Sequence, residues 1–238
     1  MTAYHFLAAA AGAAALLISA GCERFEEAGM AHNESVSINL DKTEMVHVEI
    51  KMGAGELRVR GGSLKLMEGD FRFHGDRRPE VRYEPSPFRG RLYVSTPDSR
   101  RRRYVGLRGE EWSLRLNEGV PMDIDVNVGA GQGELNLGSL NIRDLAVNMG
   151  AGELRLDLRG TPKRNMSVRV NGGVGEAIVH LPDTVGIRLE AHGGIGSFNA
   201  FGLTRRGSYY QNDLYEKSNQ TMDVRISGGI GSIKVYAD

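Results

Sequence analysis

The chain has 238 residues, long enough for one large domain or two small ones around a continuous apolar core. Thirty Lys and Arg balance thirty Asp and Glu, so no global field selects nucleic acid or an anionic surface. One cysteine excludes an internal disulfide, and 32 glycines, about twice the usual ~7% share and without the third-position period of collagen, require a structural cause.

From Phe6 to Ala20 every residue is apolar or small apart from Ser19, and none is charged. The run is shorter than the ~20 residues that span a bilayer. It suits the apolar core of a secretory leader, residues 1–21, ending in Ser19-Ala20-Gly21. Cys22 comes next. The run Ile18-Ser19-Ala20-Gly21-Cys22 resembles the lipobox of bacterial lipoproteins, whose leader peptidase cuts before a cysteine that carries lipid. Ser19 stands where such boxes usually have Leu, and Met1 to His5 holds no Lys or Arg. The resemblance implies export and lipidation at Cys22, hence a membrane as first partner; a plain signal peptide with an incidental cysteine is the alternative. Residues 22–43, polar and acidic at first, are expected to be a flexible tether.

Residues 44–121 read as an N-terminal β subdomain. Strand-like runs occur at Leu64–Met67, Asp70–Phe73, Val81–Tyr83, Leu92–Ser95 and Trp112–Leu116, punctuated by Pro79, Pro85, Pro87 and Pro97. Its expected role is to cap one end of the C-terminal repeats, because an open sheet end templates aggregation.

Residues 122–238 form a repeat domain with a loop insertion at 201–222 that carries Tyr209, Tyr210 and Tyr215. Five Gly-x-Gly cores lie here and one more lies upstream, centred on Ala54, Ala130, Ala151, Val174, Ile195 and Ile230. Their spacings of 76, 21, 23, 21 and 35 define a unit of 21–23 residues with two insertions. Each core is flanked by alternating apolar runs, and the phase flips across it: Leu145, Val147, Met149 and Ala151 give way to Leu154, Leu156 and Leu158. In the unit at Ala130, Gln132 and Gly133 read as a two-residue insertion that preserves the flip. A slip of one residue would move every later side chain to the wrong face. The chain is expected to avoid that by bending at Gly53, Gly55, Gly129, Gly131, Gly150, Gly152, Gly173, Gly175, Gly194, Gly196, Gly229 and Gly231. The predicted fold is all-β: a solenoid-like stack of glycine-kinked strand pairs, apolar inside, with an inserted N-terminal β subdomain.

From about Met45 to Asp238 the chain resembles the toast-rack family, related to the extracytoplasmic domain of LiaF-like cell-envelope stress proteins. The GAGEL motifs at Gly53–Leu57 and Gly150–Leu154 carry the resemblance, with the Trp112–Pro121 approach, the later GGVGE and GGIGS cores, and Arg206-Gly207-Ser208-Tyr209-Tyr210. It implies the stacked fold and a place in the bacterial envelope. LiaF proteins restrain a sensor kinase through a protein held by several membrane helices, which this sequence lacks.

Chemistry is sparse. A phosphate loop needs a helix whose N-terminal amides face the anion, whereas each Gly-x-Gly here leads into a strand. Glu56, Glu134, Glu153 and Glu176 read as one column after the last core glycine, able to hold a hard cation or, with Arg58 and Arg155 nearby, to pair with arginine. Six histidines show no metal spacing, and no nucleophile motif stands out. No cofactor, metal or catalytic residue is expected. Phe71–Leu116 holds 12 arginines against 6 Asp and Glu, so Arg89, Arg91, Arg100, Arg101, Arg102 and Arg103 are the candidate contacts for anionic lipid or a wall polymer, or else form a solvated loop. Export and neutrality disfavour nucleic acid. The leading expectation is a non-enzymatic, membrane-anchored envelope module that binds a partner or senses stress. The alternative is an adhesive or structural protein associating through its stack. A carbohydrate-active β-helix enzyme ranks last, for want of a stripe of paired carboxylates.

Overall fold

A computed structural model of the chain describes residues 31–75, 77–97 and 109–238. Cys22 and Arg100–Arg103 lie outside the described residues. The strands are β1 (Ala31–Ile38), β2 (Val46–Ser63), β3 (Met67–His74), β4 (Glu80–Glu84), β5 (Gly90–Ser95), β6 (Glu110–Asn117), β7 (Met122–Asn136), β8 (Ile142–Asp157), β9 (Met166–Leu181), β10 (Gly186–Phe201), β11 (Thr204–Arg206), β12 (Tyr209–Gln211) and β13 (Thr221–Ala237). They join into one mixed sheet, and no helix occurs among the described residues.

Six long strands each carry one Gly-x-Gly core and pair in parallel in the spatial order β2, β7, β8, β9, β13, β10. The apolar phase sets the bend. In β2, Val46, Val48, Ile50 and Met52 are buried at even positions, then Leu57 and Val59 at odd ones. Burying both runs on one core requires the strand to change face between Gly53 and Glu56. The second glycine of each pair makes the turn, with φ between +129° and +148° in all six strands. It also permits close stacking. A Cβ added to Gly131, Gly152, Gly175, Gly231 or Gly196 would sit 1.7–1.9 Å from the carbonyl oxygen of the strand before it in the stack. The first glycine serves approach alone: its φ lies outside the left-handed region, and a Cβ on Gly129, Gly150, Gly173, Gly229 or Gly194 would meet the preceding carbonyl at 2.1–2.4 Å. Outside the corner, Asn171 Nδ2 donates to Asn148 Oδ1 (2.8 Å) and Asn148 Nδ2 to Asn127 Oδ1 (2.9 Å), a ladder that locks register between β7, β8 and β9.

The insertion between the first and second cores continues both arms of the bend. β5 pairs in parallel with the first half of β2, and β6 with the second half. Together they act as one further unit, and the residues between them in sequence, 96–109, hold no Gly-x-Gly core. β4 then extends the first arm, while β3 and β1 extend the second.

Four expectations need correction. The supposed tether contributes β1, antiparallel to β3, with Val36 and Ile38 packed on the core. The run Leu64–Met67 is mostly a bend, leaving Leu64 exposed, and β3 begins at Met67. Gln132 and Gly133 are no insertion: they pair with Glu56 and Leu57 on one side and Glu153 and Leu154 on the other. Gly133 takes a core position because Leu154 and Met149 already fill its space, each 3.3 Å from where a Cβ would lie. Glu134 therefore aligns with Arg58 and Arg155 instead of with the other glutamates. Finally, the core-centre residues do not all point into the core, since Val174, Ile195 and Ile230 are 54%, 75% and 54% exposed.

Candidate binding surfaces at the two ends of the stack

The N-terminal end is edged by β1 and β4, which carry charged residues. Trp112 on β6 is fully buried, edge-on to Phe71 of β3. Glu110, opposite the corner residue Gly55 of β2, is also buried. Burial pushes its carboxyl above the usual range, an effect offset in part by the Thr96 hydroxyl (3.3 Å) and the Arg77 guanidinium (4.0 Å). Arg89 donates to Asp123 (2.7 Å), which Arg143 also holds (2.6 Å), so its guanidinium is engaged within the fold. Arg91 is exposed on β5, opposite Glu84 of β4. The structure thus describes two of the six candidate arginines, and one of these is committed to an internal carboxylate.

The carboxylate column dissolves once the register is known. The equivalent positions are Glu56, Gln132, Glu153, Glu176, Ser232 and Ser197 in stack order. Glu56 pairs with Arg58, which lies 3.6 Å from Glu134, and Glu176 accepts from Lys234 (2.7 Å), whose charge holds its carboxyl below the usual range. No cluster of three or more metal-ligating side chains occurs among the described residues. His180 pairs with Asp238 (3.1 Å) and stacks on Tyr236.

The C-terminal end differs in kind. The position before the first corner glycine is Met52, Val128 and Met149 in β2, β7 and β8, all buried. In register with them, β9, β13 and β10 have Gly172, Gly228 and Gly193. The lost side chains leave a small cavity of about 70 Å³ bordered by Val170, Phe198, Ile226 and Ile233. Beside it Val174, Ile230 and Ile195 stand in register as an exposed aliphatic row, where the earlier units have Ala54, Ala130 and Ala151. The signal is present in the sequence, as the change from MGAG and VGAG to GGVG and GGIG. The glycines common to all six cores mask the residue that changes.

This end is also open. Arg188 and Leu189 of β10 pair with β12, and no backbone partner lies along the outer edge of Glu190–Phe201 among the described residues. Arg188 lies over the Tyr209 ring (4.7 Å) in the first arm, and Tyr210 reaches past the corner to pack on Phe198 (5.4 Å) of the second.

The family model described as the N-terminal domain of toast_rack (DUF2154) matches residues 27–180. No curated protein matches. Among solved structures, a candidate cell adhesion protein from Clostridium sporogenes is 33% identical, with a TM-score of 0.84 over 88% of this chain and 100% of that one. A candidate adhesin from Bacteroides fragilis is 10% identical, covering 88% of this chain and 98% of that one, with a TM-score of 0.33. The glycine-cornered stack, the family match and the close structural relative agree: the chain belongs to the toast-rack family.

Proposed function

We propose that this protein is an exported, non-enzymatic adhesion module that works at the cell surface through the C-terminal end of its stack. The observation that carries the reading is the exposed row Val174, Ile230 and Ile195 beside a glycine-stripped cavity. A contiguous apolar row on a soluble surface marks a contact site. A cavity of about 70 Å³ is far below the ~300 Å³ of a small-molecule pocket, so the surface suits side chains of a macromolecular partner. The similarity to a cell adhesion candidate at 33% identity supports the same class. Lipid at Cys22 would hold the module on a membrane.

The test is adhesion of cells displaying the full chain, compared with an Ile195→Asp/Ile230→Asp variant of matched surface level. The wild type should raise adhesion to neighbouring cells and the variant should lose most of that gain. Equal adhesion by both would remove the site; no gain from the wild type would remove the function. A Cys22→Ser form should be released from the membrane fraction, and an unmodified Cys22 in the membrane-bound protein would refute the anchor.

A further inference from the structure

We propose that the partner at this end is a second copy of the chain, paired antiparallel along the second half of β10. The inference deepens the adhesion reading and rests on it.

The sheet edges are protected unequally. The first arm ends at β4 and β11. β4 carries Glu80, Arg82 and Glu84 between Pro79 and Pro85, and β11 is three residues long with Arg205 and Arg206. Charges, prolines and short length are the usual protections against edge pairing. The second arm ends at β1 and at Ile195–Phe201 of β10. β1 carries Glu34, held by Arg78 at 2.7 Å. The β10 segment has none of these devices: from Ala191 to Thr204 there is no Asp, Glu, Lys, Arg or Pro. Ile195, Gly196, Ser197 and Asn199 are exposed, and Phe201, half-exposed, stacks on Tyr236 of β13 (4.8 Å), which leaves the outer backbone edge free among the described residues.

A partner that simply added another parallel unit would need a glycine corner free to close on the outward carbonyls of Gly194 and Gly196. In this chain the corners of β7, β8, β9, β13 and β10 are each closed on a preceding strand, and that of β2 lies against Glu110. A second copy therefore cannot continue the stack through its corner. It can pair by a two-fold axis normal to the sheet, which keeps Phe198 and Ala200 on the core side in both molecules and Ser197 and Asn199 on the other. Because the segment is uncharged, self-pairing brings no like charges together. A strand edge of this length buries less than the ~1,600 Å² of a standard interface, so one contact is weak; many copies on two apposed surfaces would make adhesion strong by avidity.

The test mixes two differently labelled cell populations that display the full chain. Clumping should require display on both; clumping of displaying with bare cells would overturn self-pairing while leaving the adhesion reading intact. Ser197→Glu/Asn199→Glu on both populations should reduce clumping at least tenfold, as should Ser197→Lys/Asn199→Lys on both. One population of each should restore it, because the substituted positions face one another across the two-fold. Failure of the mixed pair to recover, with both variants folded by circular dichroism, would refute the edge as the site.

Discussion

The two ends of the stack solve the same physical problem in opposite ways. At the N-terminal end both arms are extended by further strands, a tryptophan is buried and the outermost strands carry charge. At the C-terminal end the corner is kept but loses its inner side chains, one arm is capped by a three-residue strand pair and the other stops bare. The first arrangement adds buried core and backbone pairing around the corner; the second leaves an aliphatic row exposed and a strand edge unpaired beside it. The contrast is what the proposed adhesion site rests on.

The sharpest way to test that contrast is to truncate one buried and one exposed apolar residue. Trp112→Ala should cost about 3–5 kcal/mol by chemical denaturation, as for large core aromatics. Ile195→Ala should change stability by less than about 0.5 kcal/mol, as for a surface site. Comparable losses would mean that the C-terminal row is structural.

Glycine corners give the next comparison. Gly150→Ala would place a Cβ 2.4 Å from the Gly129 carbonyl, and the fold should lose on the order of 2–4 kcal/mol. At the equivalent Gly53 the nearest atom, of Thr96, is 3.9 Å away, so Gly53→Ala should be tolerated to within about 1 kcal/mol. Equal thermal shifts would show that stacking contact is not what selects the first glycine. A smaller effect is due from the middle of the stack, where Asn148→Ala breaks both ladder bonds and should cost about 1 kcal/mol.

Glu110 at the N-terminal end should also impose a pH dependence. Glu110 has its carboxyl pKa raised by burial, so between the ordinary value of 4.5 and its folded value the native state binds the extra proton. Its contribution is complete below the ordinary value and is lost as pH rises through the folded one. Glu110→Gln should flatten that decline in a stability-against-pH profile; an unchanged slope would assign it to other groups.

Most of the architecture is legible in the sequence because burial on one side of a sheet enforces a period of two, and a phase flip at a glycine has few structural meanings. Strand order is not. β13 inserts between β9 and β10, and only the longer spacing of 35 residues before Ile230 hints that the chain travels past a neighbour. Gly133 mimics an insertion because, in one dimension, a core position filled by neighbours' side chains looks like a skipped one. β1 escapes detection because Val36 and Ile38 are only partly buried on an edge, which leaves a faint alternation. At the candidate site, the glycines that matter, Gly172, Gly193 and Gly228, are hidden among others that serve the bend.

Hydrogen exchange along β10 tests the central claim most directly. In dilute protein the outward amides of Ala191–Phe201 should exchange far faster than those of Glu110–Asn117 in β6, and raising the protein concentration should slow them selectively. Protection of Ala191–Phe201 equal to that of β6 in dilute solution, or no change on concentration, would contradict an open, self-pairing end.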